Sequence, residues 1–151
     1  LEVQAERKVV AFNACITAME RGRQWQLALS MLGRARRDSV SPDVVTFNAM
    51  ISVCEKIKNW QGALLLHAEM SQQRVLESVV TYSALISACE KGKAWEHALD
   101  VFRHLRQSGL EPDVIAYNAT LGACDRGARW SDAVGLMMDM RRTAMLPDAT
   151  T

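Results

Sequence analysis

No apolar run in this chain of 151 residues approaches the roughly 18–20 residues that a membrane-spanning helix needs. Charge of one sign is also lacking: 18 Lys and Arg stand against 17 Asp and Glu, a net charge of +1, which names no partner by itself. There is no Cys-x-x-Cys pair, and the three histidines His67, His97 and His104 fall in no common register. A zinc site is therefore not expected. No signal or transit segment is visible, and no nucleophile or acid/base constellation recurs. No catalytic residue, cofactor, metal, membrane or small-molecule substrate is expected. Disorder is excluded by the 49% apolar composition.

What is present is one sentence written four times. "VVAFNACITAMERGRQW" starts at Val9, "VVTFNAMISVCEKIKNW" at Val44, "VVTYSALISACEKGKAW" at Val79 and "VIAYNATLGACDRGARW" at Val114, each 35 positions after the last. Phe12, Phe47, Tyr82 and Tyr117 form one column; Trp25, Trp60, Trp95 and Trp130 a second; Ala28, Ala63, Ala98 and Ala133 a third. A fixed period of this size signals a repeat array. The repeats are 9–43, 44–78, 79–113 and 114–148, with 1–8 read as the remnant of a preceding repeat and 149–151 as the start of another. The chain reads as a window on a longer array.

Each repeat predicts a helical hairpin. Tyr82, Leu85, Ile86 and Cys89 fall at i, i+3, i+4 and i+7 and give a first helix one apolar face. Gly92 should break the chain, with Gly22 and Gly127 in its column and Ile57 as the exception. A second helix should run from about Ala94 to Gln107 on the stripe Trp95, Ala98, Leu99, Phe102 and Leu105, ended by Gly109 and Pro112. One hairpin cannot bury both its faces, so neighbours must stack. The Trp column shares that stripe, so core packing is preferred over base stacking for it. Cys54, Cys89 and Cys124 share a column with Met19 and read as interior positions, too far apart on stacked helices for disulfides. Free thiols suit a reducing compartment.

Three polar columns are left over. The fifth residue of each repeat is Asn13, Asn48, Ser83 and Asn118; the last is Asp43, Ser78, Asp113 and Asp148; near the end of each first helix stand Arg21, Lys56, Lys91 and Arg126. Each has a local explanation: an N-cap for Asp or Ser, a backbone hydrogen bond for Asn or Ser, and the helix dipole for the cations. Asparagine inside a helix is nevertheless a poor helix former, and its repetition at one address suggests a surface with a task.

These columns resemble the pentatricopeptide repeat family over Val9 to Asp148: the period of 35, "VVTYSALI", "ALDVFRHLRQSGLEPD" and the Asn/Ser–Asp pairs. The tetratricopeptide repeat has a shorter period and a W-x2-L-G-x2-Y opening that is absent. The resemblance implies an all-α, right-handed α-solenoid that binds single-stranded RNA, one base per repeat, commonly in a chloroplast or mitochondrion. It implies base recognition by the fifth and last residues, base stacking on Val10, Val45, Val80 and Ile115, and phosphate contact by the cation column. Residue by residue, Asn13 with Asp43 resembles a uracil reader, Asn48 with Ser78 a cytosine reader, Ser83 with Asp113 a guanine reader, and Asn118 with Asp148 a second uracil reader. The implied core is 5′-UCGU-3′. The chemistry is reasonable in itself, since an amide both donates and accepts while a serine hydroxyl is shorter and leaves room for a purine. The second repeat departs from the pattern with "VLES" in place of "LEPD". Two rivals stay open: a protein-binding solenoid, and an array that positions a catalytic domain elsewhere.

Overall fold

The computed structural model describes residues 2–22, 25–38 and 41–143, with only the backbone described at 25, 28, 29, 32 and 36. Eight helices appear among these residues, and no strand: α1 (Glu2–Arg21), α2 (Trp25–Arg37), α3 (Val44–Lys56), α4 (Trp60–Gln72), α5 (Val79–Lys91), α6 (Trp95–Gln107), α7 (Val114–Arg126) and α8 (Trp130–Arg142). They form four hairpins stacked in chain order, an all-α solenoid. Residues 2–8 continue α1 without a break.

The apolar columns meet along the stack. Phe12, Phe47, Tyr82 and Tyr117 are buried, as are Ile16, Ile51, Ile86 and Leu121 four residues further on. From the second helices come Ala63, Ala98, Leu66, Val101, Met70, Leu105 and Met140. Cys54, Cys89 and Cys124 lie inside this core. Burial pushes the Cys54 and Cys89 thiols up to about 11, so neither is a ready nucleophile near neutral pH.

First and second helices occupy different rows. α1 packs on α3, α3 on α5, and α5 on α7. Each second helix packs on its own first helix, and α2, α4 and α6 pack on the first helix of the next hairpin. Among the described residues no second helix packs its backbone on another second helix. The first-helix row is thus the closer spaced.

The helix-ending column works differently from the expected chain break. Gly92 and Gly127 are the C-caps of α5 and α7 with ordinary negative φ (−79° and −87°). The left-handed residue is the next one: Lys58, Lys93 and Ala128, at φ 59°, 63° and 52°. The Ala94 N–H then bonds Cys89 O at 2.8 Å and the Lys93 N–H bonds Glu90 O at 3.1 Å, which is the Schellman pattern. Glycine is needed at 92 for space. A Cβ there would collide with Trp60 Cδ1 of the preceding repeat, and one at 127 would lie 2.6 Å from Trp95 Cδ2. The tryptophans therefore lock one hairpin onto the next, and Trp60 and Trp95 pack against the core as expected. Trp130, on the last helix, is exposed. The Trp25 side chain lies outside the described ones.

Candidate nucleic-acid interface

The first helices start where the repeat ends. Asp43 is extended (φ −100°, ψ −177°) and caps α3, accepting from the Thr46 N–H at 2.9 Å. The Thr46 hydroxyl returns the favour by accepting from the Asp43 N–H at 3.2 Å, a capping box. Ser78 caps α5 in the same way with Thr81. Asp113 caps α7 through the Ala116 N–H alone. The N-cap explanation of the last-residue column is therefore correct for three of its members, and Asp148 lies outside the described residues.

Capping is only half of what these side chains do. Asn13 Nδ2 donates to Asp43 Oδ1 at 3.2 Å, Asn48 Nδ2 to Ser78 Oγ at 3.5 Å, and Ser83 Oγ to Asp113 Oδ1 at 2.7 Å. The fifth and last residues of repeats 1, 2 and 3 are thus brought together, each pair bridging one first helix and the next. The side chains of Asn13 and Asn48 bond to the cap and first turn of the next first helix rather than to their own helix. Asn118 Oδ1 is buried and has no hydrogen-bond partner among the described residues. Partial burial alone would push the Asp43 carboxyl up, but hydrogen bonds from Thr46 and Asn13 outweigh it and hold Asp43 below the usual carboxylate value.

Beside this polar seam runs an apolar column that packing does not use. Val10, Val45, Val80 and Ile115 are 67%, 54%, 60% and 60% exposed. Each stands three residues before a fifth-column residue, hence on the same side of its helix. Four exposed β-branched residues in strict register, flanked by paired polar groups, make a surface that could sandwich flat apolar faces between successive repeats.

The cation column sits in the last helical turns, as the dipole explanation requires, and three members have a further partner. Lys56 Nζ lies 2.8 Å from Glu20, Lys91 Nζ 2.6 Å from Glu55 and Arg126 Nε 2.9 Å from Glu90. Each is a rung to the preceding repeat. The cations remain about half exposed, at 55%, 46% and 44%. The acidic column Glu20, Glu55, Glu90 and Asp125 escaped the sequence reading, although it repeats at the same interval directly before the cations. Thr46 and Thr81 also escaped it, since they read as ordinary first-turn residues.

No group of His, Cys, Asp and Glu among the described residues is arranged to hold a metal ion. No helix among them is long and apolar enough to cross a membrane.

A stack of helical hairpins with a polar seam between successive first helices defines a class of α-helical repeat proteins. Residues 7–56, 42–91 and 77–126 match the PPR repeat family, and the chain belongs to that family. Among solved structures it is similar to the pentatricopeptide repeat protein PPR10 in complex with an 18-nt psaJ RNA element, at 28% identity and a TM-score of 0.82 over 95% of this chain. The pentatricopeptide repeat protein PPR10 from maize matches at 27% identity and a TM-score of 0.80 over 91% of this chain. The PPR domain of Arabidopsis thaliana protein-only RNase P 1, in complex with tRNA, shares the fold at 16% identity and a TM-score of 0.82 over 93% of this chain. The chain spans 21% of the PPR10 chain it matches in the RNA complex. No curated protein sequence matches it.

Proposed function

We propose that this chain binds single-stranded RNA along the row of first helices, one base per repeat. The observation that carries the reading is the exposed column Val10, Val45, Val80 and Ile115 beside the cross-repeat polar pairs. Aliphatic surface offers stacking to any base, and the polar pairs offer hydrogen bonds that discriminate. Splayed single strands expose their Watson–Crick edges, whereas A-form duplex hides them. PPR10, the relative at 28% identity, is itself bound to RNA.

The reading extends to sequence. Asn13 with Asp43 selects uracil, Asn48 with Ser78 cytosine, Ser83 with Asp113 guanine, and Asn118 with Asp148 uracil, giving 5′-UCGU-3′. Two features of the third unit support its assignment. Ser83 is small, and its hydroxyl is committed to Asp113 Oδ1. The remaining acceptor capacity of Asp113 suits the N–H donors of a guanine edge. The role is that of an RNA adaptor in organellar RNA processing, stability or translation.

The test is a filter-binding comparison of single-stranded RNA, double-stranded RNA and single-stranded DNA across a salt series. Single-stranded RNA should bind best. If Arg21, Lys56, Lys91 and Arg126 each meet one phosphate, the log–log salt slope approaches about −3, at roughly −0.7 per contact. Because three of these cations already have acidic partners, the slope should fall between that limit and zero. Absence of RNA binding at low salt would overturn the reading in favour of a peptide-binding face.

A further inference from the structure

The polar units differ at one more residue. Thirty-three positions after Asn13 and Asn48 stand Thr46 and Thr81, and thirty-three after Ser83 stands Ala116. The sequence has Thr151 in the same relation to Asn118, outside the described residues. Asparagine goes with threonine, and serine with alanine.

The structure gives this pairing a physical content. Thr46 Oγ1 lies 2.5 Å from Asn13 Oδ1, and Thr81 Oγ1 lies 2.6 Å from Asn48 Oδ1. Both threonines are fully buried. In the first unit, ionised Asp43 can only accept, so Asn13 must turn its NH2 toward it and its carbonyl toward Thr46. The Thr46 hydroxyl accepts from the Asp43 N–H, and its own proton faces two acceptors, Asn13 Oδ1 at 2.5 Å and Asp43 Oδ1 at 2.8 Å, so it ties the amide to the cap. In the second unit Ser78 can donate or accept, and it stands 3.5 Å from Asn48, the limit of a hydrogen bond. The Asn48 orientation therefore rests on Thr81. Ser83 needs no such partner, because a hydroxyl turns freely and donates straight to Asp113.

We propose that Thr46 and Thr81 are positioning residues for base selection: each fixes the amide of the asparagine in the preceding repeat, and so sets which donors and acceptors that amide offers to a base. A released amide can flip, exchange its NH2 and oxygen, and offer the reverse pattern. The proposal rests on the RNA reading above, and it makes the recognition unit three residues rather than two, the third supplied by the next repeat.

The test uses the whole 151-residue chain at low salt, as parent, Thr81→Ala and Thr81→Ser. Alanine is chosen because Ala116 occupies the same helix position in α7, so the backbone accepts it. Competition of UCGU against UUGU reads the second base, and UCGU against UCUU reads the third. The parent should prefer cytosine at the second base. Thr81→Ala should shrink that preference roughly five- to tenfold or abolish it, the weight of one lost orienting hydrogen bond, and Thr81→Ser should retain it. The third-base preference should be the same in all three proteins. If Thr81→Ala keeps the parent's second-base ratio, the inference fails while the RNA reading stands. An equal loss at the third base would mean that Thr81 acts through general stability, which also overturns it. A parent with no base preference sinks the base-by-base part of the RNA reading. In that case the side-chain amide signals of Asn48 in NMR spectra of the free protein still decide the positioning claim. They should shift in Thr81→Ala and stay near the parent values in Thr81→Ser; unchanged signals in Thr81→Ala refute it.

Discussion

First helices pack on first helices from repeat to repeat, while among the described residues second helices reach one another only by side chains: the Trp60 and His97 rings meet at a tilt with centroids 4.6 Å apart, and Arg106 bonds Asp139 at 3.0 Å. The two rows therefore answer to different constraints. In the first row the backbones are close, and Thr46, Thr81 and Thr120 are buried polar groups with partners. In the second row the spacing is wider and large side chains bridge it. A repeat protein that reads a polymer needs one row with a fixed step, and the closely packed row is where the polar seam lies. The two rows meet where a tryptophan that opens a second helix lands on the glycine that ends the next first helix.

That junction is where the comparison breaks most easily. Gly92→Ala places a methyl group against the Trp60 ring and the Ala88 carbonyl, neither of which can yield without moving a helix. Overpacking of this kind costs about 1–3 kcal/mol. Chemical denaturation should show a drop of that size, and Gly33→Ala in α2, where a Cβ meets nothing within 4 Å, should lack it. Equal effects at the two sites would mean that helix propensity, not the Trp60 contact, governs Gly92.

The polar seam of the first row is tested by Ser83→Asn, which recreates the Asn13–Asp43 combination in the third repeat. Under the proposed function, preference at the third base moves from guanine to uracil, by about 1–3 kcal/mol by analogy with other base-edge contacts. The geometry adds a condition. Asn13 is held by Thr46, whereas the corresponding position beside Ser83 is Ala116. The single change should therefore give a weak uracil preference, and Ser83→Asn combined with Ala116→Thr a stronger one. Competition between UCGU and UCUU measures both. Identical ranking by parent and double variant would remove Ser83 from the reading set.

How much of this was legible in the sequence follows from what repeats. The hairpins, their bounds to within a residue or so, and the buried faces of α5 and α6 were readable because apolar residues recur both at helical spacing and every 35 positions. The fifth and last residues were readable as polar columns, while their pairing was implied only by the resemblance. What was not readable depends on contacts between one repeat and the next. Gly92 looks like a chain breaker in one dimension, and only the stacked neighbour shows that it makes room for Trp60. Arg126 looks like a free cation until Glu90 of the preceding repeat is placed beside it. Thr81 looks like a cap residue until Asn48 appears behind it. In each case the signal was present as a second column at a fixed offset, and reading columns in pairs across the repeat boundary would have found it.

The ion-pair ladder gives a smaller and sign-definite effect. Glu90 sits beside Arg126, and any phosphate at Arg126 must compete with it. Glu90→Gln removes the competitor and one negative charge. RNA should then bind more tightly by about 0.2–1 kcal/mol at low salt, the usual worth of an exposed pair, with the gain fading as salt rises. Weaker binding in Glu90→Gln would show that the ladder holds the cation in place for RNA instead of withholding it.

The smallest expected effect compares two caps in one column, Asp43 and Ser78. They occupy the same place at the start of α3 and α5, but only Asp43 can titrate. Burial opposes its ionisation, yet the hydrogen bonds it accepts from Thr46 and Asn13 favour the carboxylate and leave its folded-state value below the ordinary one. The sign follows from that direction. A carboxyl bound less tightly by protons in the folded chain than in the unfolded chain stabilises the fold above its unfolded value of about 3.9, and that contribution disappears as pH falls through the lower folded value. Asp43 is an exposed residue, so the contribution is small after solvent screening. Asp43→Asn keeps an acceptor for the Thr46 N–H and cannot ionise. The parent should therefore be the more stable protein at neutral pH, and its advantage over Asp43→Asn should shrink as pH falls below about 4. Thermal melts of both proteins from neutral to acid pH measure the difference. A gap that stays constant with pH would mean that Asp43 acts only as a neutral cap, as Ser78 does, and that its charge contributes nothing to holding the first repeat against the second.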